Sequence, residues 1–279
     1  MVGMTEQRRP ERQEGAKERA NIREWDARTY HAVSEPQFEW GKRVLGALEL
    51  AGTESVLDAG CGTGRLTALL AERLPHGQVV ALDRSSNMTQ VASSTLSPFR
   101  GHAAVVLADL VALPFAEAFD VVFSTATFHW VLDHDRMFAN LLGALKPGGR
   151  MHAQCGGGPN LARLHRRAVA LARSAQFAPD FVGWSDPWNY SSAEDAHVRL
   201  VRAGFTDVRA WLEKAPATFP DAEAFRVFIK AVVLRPFLAP IGDEGRRAAF
   251  VDHVVDAAAQ DDPPYTLDYW RLNITARRP

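Results

Sequence analysis

Cysteine is almost missing from this sequence: Cys61 and Cys155 are the two present in 279 residues. They stand far apart, with no metal-ligand spacing. That excludes a disulfide framework, predicts no metal site and points to a reducing compartment. No apolar run approaches the roughly 18 residues of a spanning helix. The N-terminal stretch MVGMTEQRRPERQEGAKERA lacks the apolar centre of a secretory signal. A cytoplasmic chain without membrane contact is therefore expected. Neither sign of charge is in excess. Lys and Arg number 32 and Asp and Glu 33, a formal net charge of -1. No basic footprint for nucleic acid exists in such a balance.

The chain does have apolar residues, at 47%, enough for one large core. Residues 1–20 cannot bury a face and are expected as a disordered tail. From Ile22 to Leu50 apolar residues recur at helical spacing, among them Trp25, Tyr30, Phe38 and Trp40. Pro36 divides this stretch into two helices. Short apolar strands are then predicted at 55–58, 79–83, 103–108, 119–124 and 150–154. Helical patterns at 66–74, 87–96 and 136–145 alternate with them, and Lys146-Pro147-Gly148-Gly149 ends the last. Such alternation predicts crossover units in a mostly parallel sheet, with ligands at the carboxyl ends of its strands. Beyond Cys155 the pattern predicts a helix at 161–174, an irregular aromatic stretch from Phe181 to Tyr190 and a capped helix ending near Ala203. A sixth strand follows at 205–212, then helices at 221–233 and 244–259. A last strand at 267–276 is expected to close the sheet at its edge.

The segment Val56-Leu57-Asp58-Ala59-Gly60-Cys61-Gly62-Thr63-Gly64 joins the first strand to its helix. Glycine there permits a sharp turn and close approach to a ligand. A dinucleotide fingerprint reads G-x-G-x-x-G and seats a pyrophosphate. Here the register is G-x-G-x-G, Arg65 stands where the third fingerprint glycine would be, and Asp58 guards the entrance. A carboxylate at that point suits a cationic ligand better than a phosphate. S-adenosylmethionine, with a sulfonium and an ammonium, is such a ligand.

The loop DAGCGTG resembles the first motif of the class I S-adenosylmethionine-dependent methyltransferases. Asp83 in VVALDRSSNM resembles the family's ribose-binding acid, and a carboxylate can accept from both ribose hydroxyls. Asp109 in VVLADL resembles the residue that accepts from the adenine amine, and LKPGGR matches the turn before the family's fifth strand. The resemblance covers about residues 54–155. It implies an α/β fold with a Rossmann-like, seven-stranded, mostly parallel sheet flanked by helices and covered by a helical cap. Residues 21–279 would form this one domain, with an N-terminal lid at 21–50 and cap insertions at about 156–190 and 215–262. The implied donor contacts are Asp58, Gly60, Cys61, Gly62, Gly64, Asp83, Arg84, Asp109, Leu110 and Ser124, with Trp25 and Tyr30 from the lid.

Residues after the fourth strand face the methyl group in this fold, here Ser124 to His134. Trp25 and Tyr30 together with FHWVLDH are similar to the trans-aconitate methyltransferase group, whose acceptor is a carboxylate. That resemblance implies O-methylation of a small carboxylic acid. A carbon or nitrogen acceptor, and a donor-binding protein without catalysis, stand as alternatives. An ionised carboxylate needs no general base, whereas an amine or hydroxyl needs one. His129 is the candidate catalytic and acceptor-contacting residue, with Trp130 beside it as a pocket wall. Asp133 and His134 are expected as exposed or helix-capping. Arg163, Arg166 and Arg167 offer cations for an acceptor clamp, none favoured over the others. The aromatic stretch ending at Tyr190 fits either a pocket wall or a small cap core. Oligomeric state is not legible.

Overall fold

The computed structural model describes Ala27 and residues 35–279. The proposed tail at 1–20 and most of the first half of the proposed lid lie outside the described residues. Helix α1 (Glu35–Gly46) carries Pro36 in its first turn, which the fixed φ of proline suits. The alternating pattern then folds as β1 (Ser55–Ala59), α2 (Arg65–Glu72), β2 (Gln78–Asp83), α3 (Ser86–Thr95), β3 (Ala103–Leu107), β4 (Phe119–Thr125), α4 (His134–Ala144) and β5 (Leu145–Gly156). All five strands are parallel. The period of two along β1 and β4 separates two cores. Val56, Val121 and Phe123 point toward Leu45, Leu70 and Leu74, from α1 and the α2 region. Leu57, Ala59 and Val122 point toward Met137, Phe138 and Leu141 of α4. Burial on both faces explains why these strands are continuous apolar runs.

The sheet has seven strands in the order β3-β2-β1-β4-β5-β9-β6. Helices α5 (Ala162–Ala172) and α6 (Ala193–Ala203) precede β6 (Thr206–Lys214). The last strand departs from expectation. β9 (Trp270–Arg277) is not at the edge but lies between β5 and β6, antiparallel to both. Its sequence explains this, because Leu272, Ile274 and Ala276 enter one core while Arg271 and Asn273 are buried on the other face. Only an inner strand is covered on both sides. β6 takes the edge, with exposed Asp207, Arg209, Glu213 and Lys214, charges that discourage further pairing. The Lys146–Gly149 turn is carried inside β5, where pairing with β4 slips between Phe119 and Val121.

The chain beyond β6 builds a second hydrophobic centre. A ribbon of β7 (Ala217–Thr218) and β8 (Thr266–Leu267) frames α7 (Ala222–Phe228), α8 (Arg235–Leu238) and α9 (Glu244–Ala258). Leu164 of α5 joins Phe225, Ile229, Phe237, Phe250 and Val254 in that core. The helix expected over 221–233 forms but changes type: after Phe228 the backbone widens into a π-turn at Ile229–Val233. Arg167 grips Asp261 through two bonds of 2.9 and 2.7 Å, and Arg163 donates to the Thr266 carbonyl at 2.7 Å. Both arginines therefore tie α5 to the cap, and Arg166 is exposed. His134 is buried rather than exposed, bridging the Phe128 carbonyl and the Ser191 hydroxyl at 2.9 and 3.1 Å. Asp133 caps α4 by accepting from the Arg136 amide at 2.9 Å.

Candidate active site

The loop after β1 folds back onto the end of β2. Gly60 and Cys61 both donate their amides to the Leu82 carbonyl, at 2.7 and 2.9 Å. Gly60 has φ +89°, and a Cβ there would collide with the Thr127 side chain. Only glycine allows this approach. Asp83 ends β2 and joins the two loops: one carboxylate oxygen accepts from the Gly62 amide and the other from the Ser85 amide, each at 2.9 Å. Burial raises its pKa, against the pull of those amides. Asp58 is 2% exposed and accepts from the Thr67 hydroxyl at 2.6 Å. Burial pushes its carboxyl up to about 7, with the nearby Asp83 adding to the rise. An acid held so is poised to ionise beside a cation. Burial also pushes the Cys61 thiol up, so it is no thiolate nucleophile. Gly64 serves packing: a Cβ there would lie 3.2 Å from Ala92 of α3.

Two recesses meet over this loop. The first is lined by Gln37 and Phe38 of α1 and by Asp58, Cys61, Thr63 and Arg65. The second, open to solvent, runs from Asp83, Arg84 and Met88 to the cap. Gln37, Gly60, Gly62, Thr125 and Ala126 belong to both. Gln37 donates to the Tyr269 hydroxyl at 3.5 Å, while its carbonyl oxygen is buried with no hydrogen-bond partner among the described residues. A buried orphan acceptor beside two carboxylates fits a ligand that brings an N–H or a positive charge. No group of three potential metal ligands occurs among the described residues.

At the far end of the second recess, a short turn after β4 (Phe128–Trp130) presents His129. The ring Nδ1 accepts from the Gly156 amide at 3.2 Å. That bond fixes the neutral tautomer with its proton on Nε2. Burial and the nearby Arg271 charge drive the imidazole pKa down to about 3. Tyr190 stacks on the His129 ring at 5.6 Å and 26°, and Trp188 stacks on Tyr190 at 5.6 Å and 23°. Arg271 of β9 is 4% exposed and lies in the same wall. Its guanidinium sits 3.6 Å over the Trp40 ring and 4.5 Å over that of Tyr269.

The structure thus brings Asp58, Gly60, Cys61, Gly62, Asp83, Arg84, His129 and Trp130 to one continuous cleft. The lining of the two recesses does not include Gly64, Asp109, Leu110 or Ser124. Asp109 accepts from the Val111 amide at 3.1 Å, and Leu110 is buried in the sheet core. The Ser124 hydroxyl donates to the Ala59 carbonyl at 2.6 Å, tying β4 to β1. Trp25 and Tyr30 lie outside the described residues. The aromatic stretch divides: Phe181 and Trp184 pack on Phe237, Trp188 packs on Phe237 as well but also lines the cleft, and Tyr190 lines the cleft. Sequence reasoning missed Gln37 and Arg271. Arg271 gave no signal in the sequence, because on the edge strand expected at 267–276 an arginine would sit in solvent.

Residues 56–149, from β1 into the start of β5, match the family model described as a methyltransferase domain. The chain is an S-adenosylmethionine-dependent methyltransferase. The methyltransferase is 29% identical over 266 residues to the trans-aconitate 2-methyltransferase of Methylobacterium radiotolerans, across 91% of this chain and 98% of that one. The solved YcgJ protein of Bacillus subtilis superposes with TM-score 0.60 at 15% identity, covering 86% and 98% of the two chains. The phosphoethanolamine N-methyltransferase 2 of Haemonchus contortus, solved with S-adenosyl-L-methionine, gives TM-score 0.59 at 20% identity over 91% of this chain and 56% of its own. These two likenesses speak for the fold alone. Among the described residues no helix of the methyltransferase is long and apolar enough to cross a membrane.

Proposed function

We propose that this methyltransferase esterifies a carboxylate on a small-molecule acceptor. The observation that carries this reading is the buried Arg271 guanidinium in the cleft wall beside His129. A desolvated cation there attracts a carboxylate and repels an ammonium. The name of the Methylobacterium relative points the same way.

Bound S-adenosylmethionine supplies an electrophilic methyl group: the acceptor oxygen forms the new C–O bond as the C–S bond breaks and sulfur keeps the electron pair. No proton changes hands, so His129 need not act as a base. In this reading Asp83 holds the ribose hydroxyls, while Asp58 and the free Gln37 carbonyl face the ammonium. Asp109 and Leu110, following β3, serve the adenine end, and Ser124 supports the loop from behind. Arg271 seats one carboxylate oxygen, and the Nε2–H of His129 orients the acceptor. Cap and α1 exclude water, which strengthens each of these contacts.

The test is Arg271→Met. Truncating one side of a buried charge pair costs about 2–5 kcal/mol, so kcat/KM for the acid should fall about 30-fold or more. S-adenosylhomocysteine affinity and thermal midpoint should stay near wild type. A variant of full activity, or a wild-type enzyme that methylates amines and no acid, overturns the reading.

A further inference from the structure

We propose that the acceptor is a monocarboxylic acid with an apolar, planar body, not a polyacid of the kind named for the Methylobacterium relative. The inference rests on the carboxylate reading above and concerns what surrounds that one carboxylate. Among the described residues lining the larger recess, Arg271 is the one cation away from the loop after β2. Around it stand Trp130, Trp188, Tyr190, Leu161, Val232 and Val233.

The two valines come from the π-turn. The Leu234 amide donates to the Ile229 carbonyl at 2.6 Å, the five-residue spacing of a π-turn. In an α-helix consecutive side chains diverge by about 100°, and neighbours seldom share a surface. The wider turn brings adjacent Val232 and Val233 both into the lining of the recess, together with the Trp188 and Tyr190 stack. π-turns inside helices concentrate at functional sites. Here the irregularity builds an apolar slot.

trans-Aconitate carries three carboxylates. With one seated on Arg271, the other two would meet indole, phenol and valine side chains, where the Trp188 Nε1–H and the His129 Nε2–H are neutral donors and no second cation stands among the described residues. Stripping the water from two more carboxylates without a counter-charge is strongly unfavourable. An aromatic or aliphatic body gains instead from apolar burial and ring stacking. The transferred methyl turns the seated carboxylate into a neutral ester, with S-adenosylhomocysteine as the other product. Charge at the slot thus falls during turnover.

The experiment uses the full chain loaded with S-adenosylhomocysteine, and calorimetry with trans-cinnamate and trans-aconitate. Both are planar propenoates, and they differ in the body attached. Cinnamate is expected to bind at least tenfold tighter, and kcat/KM with S-adenosylmethionine to follow the same order. Val232→Asn, a milder change than a charge in the slot, should weaken cinnamate severalfold and leave S-adenosylhomocysteine binding intact. Equal or tighter binding of trans-aconitate overturns this inference and leaves carboxylate esterification standing. Binding of S-adenosylhomocysteine with neither acid bound nor methylated overturns both.

Discussion

The two ends of the cleft are made differently. The end proposed for the donor comes from short strand-to-helix loops, in which Asp83 fixes the Gly62 and Ser85 amides and Asp58 is held by Thr67. The end proposed for the acceptor is assembled from distant pieces: the turn at His129 with its bond from Gly156 of β5, the Trp188–Tyr190 stretch, the π-turn and Arg271 of β9. Polar atoms organise the first end. Rings and one buried cation organise the second. A sheet edge can be reused with a fixed donor while the cap is rebuilt around new acceptors.

If the division is real, damage to one end should leave the other intact. After Arg271→Met, the largest effect is expected from Asp83→Ala. It removes a carboxylate that joins two loops, and hydrogen bonds to charged groups are worth about 1.5–3 kcal/mol. S-adenosylhomocysteine affinity should fall roughly 10- to 100-fold. Acceptor KM, measured at saturating donor, should move less than threefold. Calorimetry and steady-state kinetics separate the two, and a matching rise in acceptor KM would break the division.

The same contrast governs what could be read from the sequence. Asp83 was singled out by its resemblance to the family's ribose-binding acid, and the strand-loop-helix layout around Asp58 and Gly60–Gly64 was legible because these pieces are contiguous. The five parallel strands were legible for the same reason. The position of β9 was not, since alternation fixes which faces are buried and says nothing of which strands lie alongside. Arg271 fell with it. A widened turn at 229–233 leaves no mark in apolar periodicity, because a π-turn adds one residue to a turn without changing composition. Trp184 and Trp188 are four residues apart in an irregular stretch. Both pack on Phe237, and Trp188 alone of the two also stacks on Tyr190 at the cleft, contacts that only the fold supplies.

A smaller effect is expected at His129, in the opposite end. With its pKa at about 3, the imidazole stays neutral from pH 5 to 8 and gives no ionisation in a pH–rate profile there. A general base of ordinary pKa near 6.5 would instead cost rate on the acid side. His129→Ala removes one hydrogen-bond donor and the stack on Tyr190, for about tenfold in acceptor kcat/KM. Gln, which offers an N–H near the Nε2 position, should recover most of the loss. An acid limb near pH 6.5 that disappears in His129→Gln would restore the base role.

The smallest effect returns to the donor end and comes from proton linkage at Asp58. Its carboxyl titrates at about 7 in the free protein because it is buried, against about 3.9 in an unfolded chain. Raised in the folded state, this group contributes stability at low pH that is lost as pH climbs from about 4 to 7. A ligand whose ammonium sits beside Asp58, present in S-adenosylmethionine and S-adenosylhomocysteine alike, reverses the penalty by favouring the carboxylate, so binding expels a proton. S-adenosylhomocysteine should therefore bind severalfold tighter at pH 8 than at pH 6, levelling above about 7. Calorimetry in buffers of different ionisation enthalpy would count the released proton, and Asp58→Asn should flatten the profile while raising the thermal midpoint of the free protein near pH 7. Acceptor affinity, set by Arg271 and a histidine that does not titrate in this range, should be flat across the same interval. Two pH responses from one cleft would mark where the donor end stops and the acceptor end begins, and a shared response would mean that Asp58 is felt at both.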